Sequence, residues 1–241
     1  VVAHLEKIAP AGIVIENNHL KQGIIAVQGP SANKVVSALG LPTDHDYMAF
    51  ADANWNGFDV SICRTGYTGE TGYELVIENA DLVEIWNALL STGAELGILP
   101  CGLGARDTLR TEMGYPLHGH ELSLAISPVM ASASWAVGWN KAKFQGREVL
   151  KEQRENGVTR RLVALKSLDR GIPRPDMRVL HEGNEVGIVT SGTFSPSLKC
   201  GIALALVNSD FKVGHQLELD VRGRSSSVEI VKLPFMPSQV R

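Results

Sequence analysis

Apolar residues recur along this chain at two spacings, and the order of those spacings sketches its architecture. Ala3 to Lys7 has the character of a short helix, and Ile13 to Glu16 is a β-rich run. Ile24-Ile25-Ala26-Val27, within Gly23 to Gln28, is short and apolar, as a buried strand requires. Gly29-Pro30-Ser31 breaks the chain and caps a helix predicted over 32–39. Asp59 to Arg64 alternates with Val60, Ile62 and Arg64 on one face, and Tyr73 to Ile77 alternates with Tyr73, Leu75 and Ile77 on one face and Glu74 and Val76 on the other. This predicts two antiparallel strands joined by the Gly- and Thr-rich connector 66–72. Leu82, Ile85, Trp86, Leu89 and Leu90 then recur at helical spacing over 80–95. A second helix is predicted from Leu103 to Met113, stopped by Gly114, and another over 146–155. Residues 123–137 are poorly patterned.

From Arg161 onward the pattern changes to short strands separated by turns. They fall at 161–165, 187–190, 202–207, 216–221 and 227–231. That spacing predicts a small all-β barrel or sandwich. We therefore expect an α+β unit over 1–156 and a β unit over 157–241.

Composition narrows the function. The chain has 241 residues, 44% hydrophobic and 20% charged, which is enough to bury a core without disulfides or metals. Its net charge of −3 carries no long basic run, so no nucleic-acid partner is expected. Cys63, Cys101 and Cys200 are odd in number and widely spaced, which reads as free thiols in a reducing compartment. No stretch approaches the roughly 20 apolar residues of a membrane span.

The densest chemical signal is Arg64-Thr65-Gly66-Tyr67-Thr68-Gly69-Glu70-Thr71-Gly72-Tyr73-Glu74. Its glycines allow backbone to approach a ligand, its tyrosines can stack and hydrogen-bond, and Glu74 opens a strand. An ordinary Gly-rich hairpin loop is the competing reading. On the 103–113 helix, a turn of about 100° per residue places Arg106 among Leu103, Leu109 and Met113, so it is expected to face inward. A buried guanidinium needs an internal carboxylate or an anionic ligand. Gly102-Leu103-Gly104 resembles the start of a dinucleotide fingerprint, but Asp107 stands where the third glycine belongs. His118-Gly119-His120 supplies two metal ligands at most, and no metal is expected.

Residues 66–74 resemble the GYTGExGxE signature of the aminomethyltransferase (glycine cleavage T-protein) family. Residues 102–110 resemble its GLGARDxLR helix, and Met113 to Gly119 the turn after it. Lys141 with Phe144-Gln145-Gly146-Arg147-Glu148 is similar to a KxxFxGRE element. Residues 187–199 follow GxVTSGTFSPxLK almost position for position, and Ile202 to Ala205 resemble the next strand. The resemblance spans nearly the whole chain.

It implies an antiparallel-sheet folate-binding domain, N-terminally incomplete, followed by a small C-terminal β-barrel. It implies transfer of a methylene group from the aminomethyl-lipoyl arm of the H-protein to tetrahydrofolate, with release of ammonia. It assigns Glu74 to the pterin, whose 2-amino and N3–H donors match two carboxylate oxygens. Tyr67 and Tyr115 are implied as folate contacts, and Arg106 as part of the folate pocket. The aspartate that the family assigns to catalysis lies in an N-terminal third absent from this sequence, so no catalytic residue is named. Pro237 stands where the family often has a basic residue after the Pro-Phe pair, and Arg241 is the nearest arginine. The implied compartment is the cytoplasm, or the mitochondrial matrix in a eukaryote. The alternatives are another folate-dependent methyltransferase or demethylase on the same scaffold, or a non-catalytic folate-binding module. Iron–sulfur-related cousins carry a KGCY-type motif, which Leu99-Pro100-Cys101-Gly102 does not match.

Overall fold

A computed structural model describes residues 1–240. The chain forms two compact units, Val1–Cys101 with Gln239 and Val240, and Gly102–Ser238.

The first unit is a four-stranded antiparallel sheet in the order β1 (Gln22–Gln28), β4 (Gly72–Glu78), β3 (Phe58–Cys63), β2 (Phe50–Trp55). The predicted alternation holds in β3 and β4. Val60 and Ile62, with Tyr73, Leu75 and Ile77, turn toward helices α2 (Ala32–Ala38) and α3 (Leu82–Gly93) and join Ile25, Val27, Val35, Val36, Ile85 and Leu89 in one core. Trp86, expected on the apolar stripe of α3, is 39% exposed. The opposite sheet face carries Ile24, Ala26, Val76, Glu74, Cys63 and Ser61 at paired positions.

Two expectations change here. Ile13 to Glu16 forms no strand, and Ile13 and Val14 stay exposed. An apolar run becomes a strand only when a neighbouring strand takes up its backbone donors and acceptors, and here the Ile13 N–H instead bonds the Pro10 carbonyl in a turn. Conversely, β2 was not predicted. It pairs with β3 across Asn56-Gly57, both at positive φ, the two-residue hairpin that an Asn-Gly pair favours. A short helix α1 (Val2–Ile8) matches the expected fragment.

The second unit is built on a closed barrel of six antiparallel strands, β5 (Arg160–Ser167), β6 (Arg178–His181), β7 (Asn184–Ser195), β8 (Cys200–Asn208), β9 (Gln216–Val221) and β10 (Arg224–Val231). Closure, rather than a sandwich, removes all free edges. The interior is filled from Val163, Leu165, Val189, Ala203, Ala205, Leu219, Val228 and Ile230. In β8 the residues between these are buried as well. A strand covered on both faces reads as a continuous apolar run, which is why Ile202 to Val207 lacks alternation. The outer cover includes helix α4 (Leu103–Met113), which packs on β7 and β8, and Phe235 beside Leu162, Ala164 and Leu204. Helix α5 (Arg147–Asn156) fills the predicted 146–155 stretch and is capped at Gly157.

The loop after β5 is held by Asp169, which accepts hydrogen bonds from Ser226 Oγ at 2.7 Å, Gly171 N–H at 2.7 Å and Ser227 N–H at 2.9 Å. The Ser226 bond and then the Gly171 amide lower its pKa below the ordinary 3.8; burial opposes them, and the Ser227 amide adds a smaller lowering. A carboxylate depressed in the folded state stabilises the fold above its unfolded pKa, and that stability is lost as pH falls through the folded value. Asp169→Asn is therefore expected to lower the urea midpoint by a constant amount above about pH 5, with the gap to wild type closing below pH 4. Midpoints at a series of pH values check this, and a gap that does not depend on pH would contradict it.

Candidate functional site

Glu74 lies on β4 on the sheet face away from α2 and α3, half-buried, with its Oε2 accepting from Thr65 Oγ1 at 2.5 Å. Thr65 belongs to the connector that ends at β4, so the connector itself orients the carboxylate. Cys63 is the cross-strand partner of Glu74. Burial, and then the negative charges of Glu74 and Asp52, push the Cys63 thiol up. A thiol held protonated is a poor nucleophile.

Sequence reasoning missed the residue that shapes the connector, which is Gln28 at the end of β1. Its Nε2 donates to the carbonyls of Thr65 at 3.2 Å and Tyr73 at 3.3 Å, while its Oε1 accepts from Thr68 Oγ1 at 2.9 Å. A Cβ on Gly72 would lie 2.4 Å from Gln28 Nε2 and 2.7 Å from the Val27 carbonyl oxygen. The glycine is thus required by close approach rather than by its own φ. Gly72→Ala is expected to cost about 1–3 kcal/mol by overpacking, measured by urea denaturation. A change below the measurement error would show that the connector yields instead. Tyr67 sits half-buried in the same connector.

In the second unit, α4 does not face the way its apolar pattern predicted. Leu103 is 84% exposed, Leu109 is 36% exposed and Arg106 is exposed. The buried face is Arg110, Thr111, Glu112 and Met113. A helix normally buries its apolar stripe, but this one presents polar groups to hydroxyls on the barrel. Arg110 Nη2 donates to Ser191 Oγ at 2.7 Å, Thr108 and Thr193 hydroxyls lie 3.3 Å apart, and Ser195 Oγ donates to Glu112 Oε1 at 2.5 Å. Ser191, Thr193 and Ser195 alternate along β7. A bulge between Val189 and Ser191 pairs Ser191 with Leu204 on the outer face of the barrel. The period-two hydroxyls at 191, 193 and 195 were the readable signal for this helix–strand seam.

His120 lies with Nδ1 2.7 Å from the Thr190 carbonyl. Among the described residues no cluster of three or more His, Cys, Asp or Glu could hold a metal ion. Two open depressions, lined by Val137 to Lys141 with Arg154 and by Ala142 to Phe144 with Gly146 to Val149, involve none of Glu74, Tyr67, Arg106 and Tyr115. Glu74 and Tyr67 thus belong to the first unit, Arg106 and Tyr115 to the second. Arg241 lies outside the described residues.

The family described as GCVT N-terminal domain matches residues 1–141, and the glycine cleavage T-protein C-terminal barrel domain matches residues 160–236. The chain belongs to the glycine cleavage T-protein family. Similar proteins include an aminomethyltransferase of Parafrankia sp., 54% identical over all of this chain, and one of Mycobacterium tuberculosis, 50% identical over all of it. The chain spans 66% of the length of each of these relatives. The solved glycine cleavage system aminomethyltransferase T from Bartonella henselae is 30% identical, with a TM-score of 0.88 over 99% of this chain and 66% of that one. A T-protein barrel is thus what β5 to β10 enclose. Among the described residues no helix is long and apolar enough to cross a membrane.

Proposed function

We propose that this chain serves a tetrahydrofolate-dependent aminomethyl transfer of the glycine cleavage system, with Glu74 as the pterin anchor. T-protein membership supports the reaction class, and the placement of Glu74 is the observation that carries the ligand. A carboxylate offers about four acceptor positions, of which the Thr65 hydroxyl takes one. Its half-buried position strengthens charge-assisted bonds to an N–H pair relative to open water. The donor set of a pterin edge therefore fits the residues present.

When bound, tetrahydrofolate supplies the N5 nucleophile that accepts the one-carbon unit as ammonia leaves. The chain's own work is to hold and orient. Thr65 fixes the carboxylate, Gln28 fixes the connector that carries Thr65 and Tyr67, and Tyr67, Arg106 and Tyr115 supply further folate contacts. Such positioning turns an encounter of separate molecules into reaction within a complex. The carrier in this reading is the aminomethyl-lipoyl H-protein, which docks transiently. Free thiols at Cys63, Cys101 and Cys200 fit a reducing compartment, and we place the reaction in the cytoplasm.

The reaction class is tested by supplying the intact protein with aminomethylated H-protein and tetrahydrofolate and following ammonia and methylenetetrahydrofolate. Both should form in equal amounts. Turnover with a small methylated amine or sulfur donor, and none with H-protein, would replace this reading with a folate-dependent demethylase.

A further inference from the structure

Arg110 is 1% exposed and charged, so the fold must answer every one of its donors. Nε and Nη2 donate to Asp107 Oδ1 at 2.8 and 2.5 Å, and Nη2 also donates to Ser191 Oγ at 2.7 Å. Nη1 donates to Glu121 Oε2 at 3.1 Å and to the Tyr115 carbonyl at 3.3 Å. These bonds match the five N–H groups of a guanidinium. Glu121, itself 0% exposed, also accepts the Leu117 amide at 2.9 Å.

We propose that Arg110 is a positioning residue for Arg106 and Tyr115, an inference that rests on the folate reading above. Three features point to it. Asp107, chained to Arg110, is the neighbour of Arg106, one turn back on the same helix. The Tyr115 carbonyl is held by Arg110 itself, and the Tyr115 to Leu117 backbone is closed from the other side by Glu121. The bulge in β7 puts Ser191 within reach, which anchors the assembly to the barrel. A helix that needed only to pack could bury an apolar side chain at 110 and avoid the desolvation of an ion pair. The planar fork of an arginine sets direction as well as distance, which is what a presenting surface requires.

The test measures tetrahydrofolate binding by the intact protein in Glu121→Gln, Ser191→Ala and Arg110→Lys, at a temperature where circular dichroism shows each variant folded. Glu121→Gln keeps the size and an acceptor oxygen but removes the charge. We expect it to weaken binding at least tenfold. In an Arg106→Ala, Tyr115→Ala background the same change should weaken binding less than twofold, because its effect passes through those two side chains. Two outcomes overturn the proposal. One is unchanged affinity in Glu121→Gln while Arg106→Ala binds more weakly. The other is a tenfold loss that persists in the double background, which is general destabilisation. Wild-type affinity in both Arg106→Ala and Tyr115→Ala refutes the folate assignment of those two residues and the positioning proposal with it. If Arg110→Lys does not fold, Glu121→Gln and Ser191→Ala decide the matter.

Discussion

Glu74→Ala is expected to abolish measurable tetrahydrofolate binding while leaving the fold intact. The side chain lies on the sheet face away from the core of the first unit, so its removal opens no core cavity. It removes two charge-assisted hydrogen bonds and leaves the pterin donors unanswered, at about 1.5–3 kcal/mol for each. The expected loss is therefore a hundredfold or more in affinity. Glu74→Gln should fall nearly as far, because the amide keeps one acceptor and turns a donor toward the other pterin N–H. Titration calorimetry with tetrahydrofolate reads the affinity, and the thermal midpoint reads the fold. Wild-type affinity in either variant would remove Glu74 from the site.

Arg110→Met is expected to destabilise the protein by about 3–5 kcal/mol, because Glu121 would remain buried without its charged partner. Burial alone does not create that cost. Pairing Arg110→Met with Glu121→Met should restore most of the lost stability, since a buried ion pair replaced by apolar groups of similar volume is often neutral. Urea unfolding of the two variants separates these effects. A double variant as unstable as the single one would mean that packing volume, not uncompensated charge, is at stake. The pair also separates stability from function. The double variant should fold, yet on the positioning argument it should present Arg106 and Tyr115 loosely and bind folate poorly.

Much of the fold was legible because its signals are local. The alternation of Val60 and Ile62, and of Tyr73, Leu75 and Ile77, needs only one buried face to express itself, and these residues entered the core as expected. The Gly-rich connector and Glu74 were visible because unusual backbone demands leave glycines behind. The Asn56-Gly57 hairpin was equally local and was passed over. Strand β6, four residues long, is too short for a period to show.

Helix α4 marks the boundary of that kind of reading. Its pattern located the helix and its stop at Gly114, but the choice of buried face followed polarity at the partner surface. Hydrophobicity favoured Arg106, and Arg110 was the residue buried. The reason is that Ser191 and Glu121 lie 81 and 11 residues away along the chain and supply acceptors that no local pattern displays. Gln28 is similar. It closes the connector at Thr65 and Thr68, which follow it by 37 and 40 positions.

The residue order alone set most of the strands and helices, the stop at Gly114, the family, and the carboxylate proposed for the pterin, because backbone geometry and short motifs depend on near neighbours. The packed chain decided which charge went inside, how β7 was re-aimed by a bulge, and what holds the connector in shape. Those outcomes depend on desolvation and hydrogen-bond satisfaction between segments far apart in sequence, and such energies exist only once the segments meet.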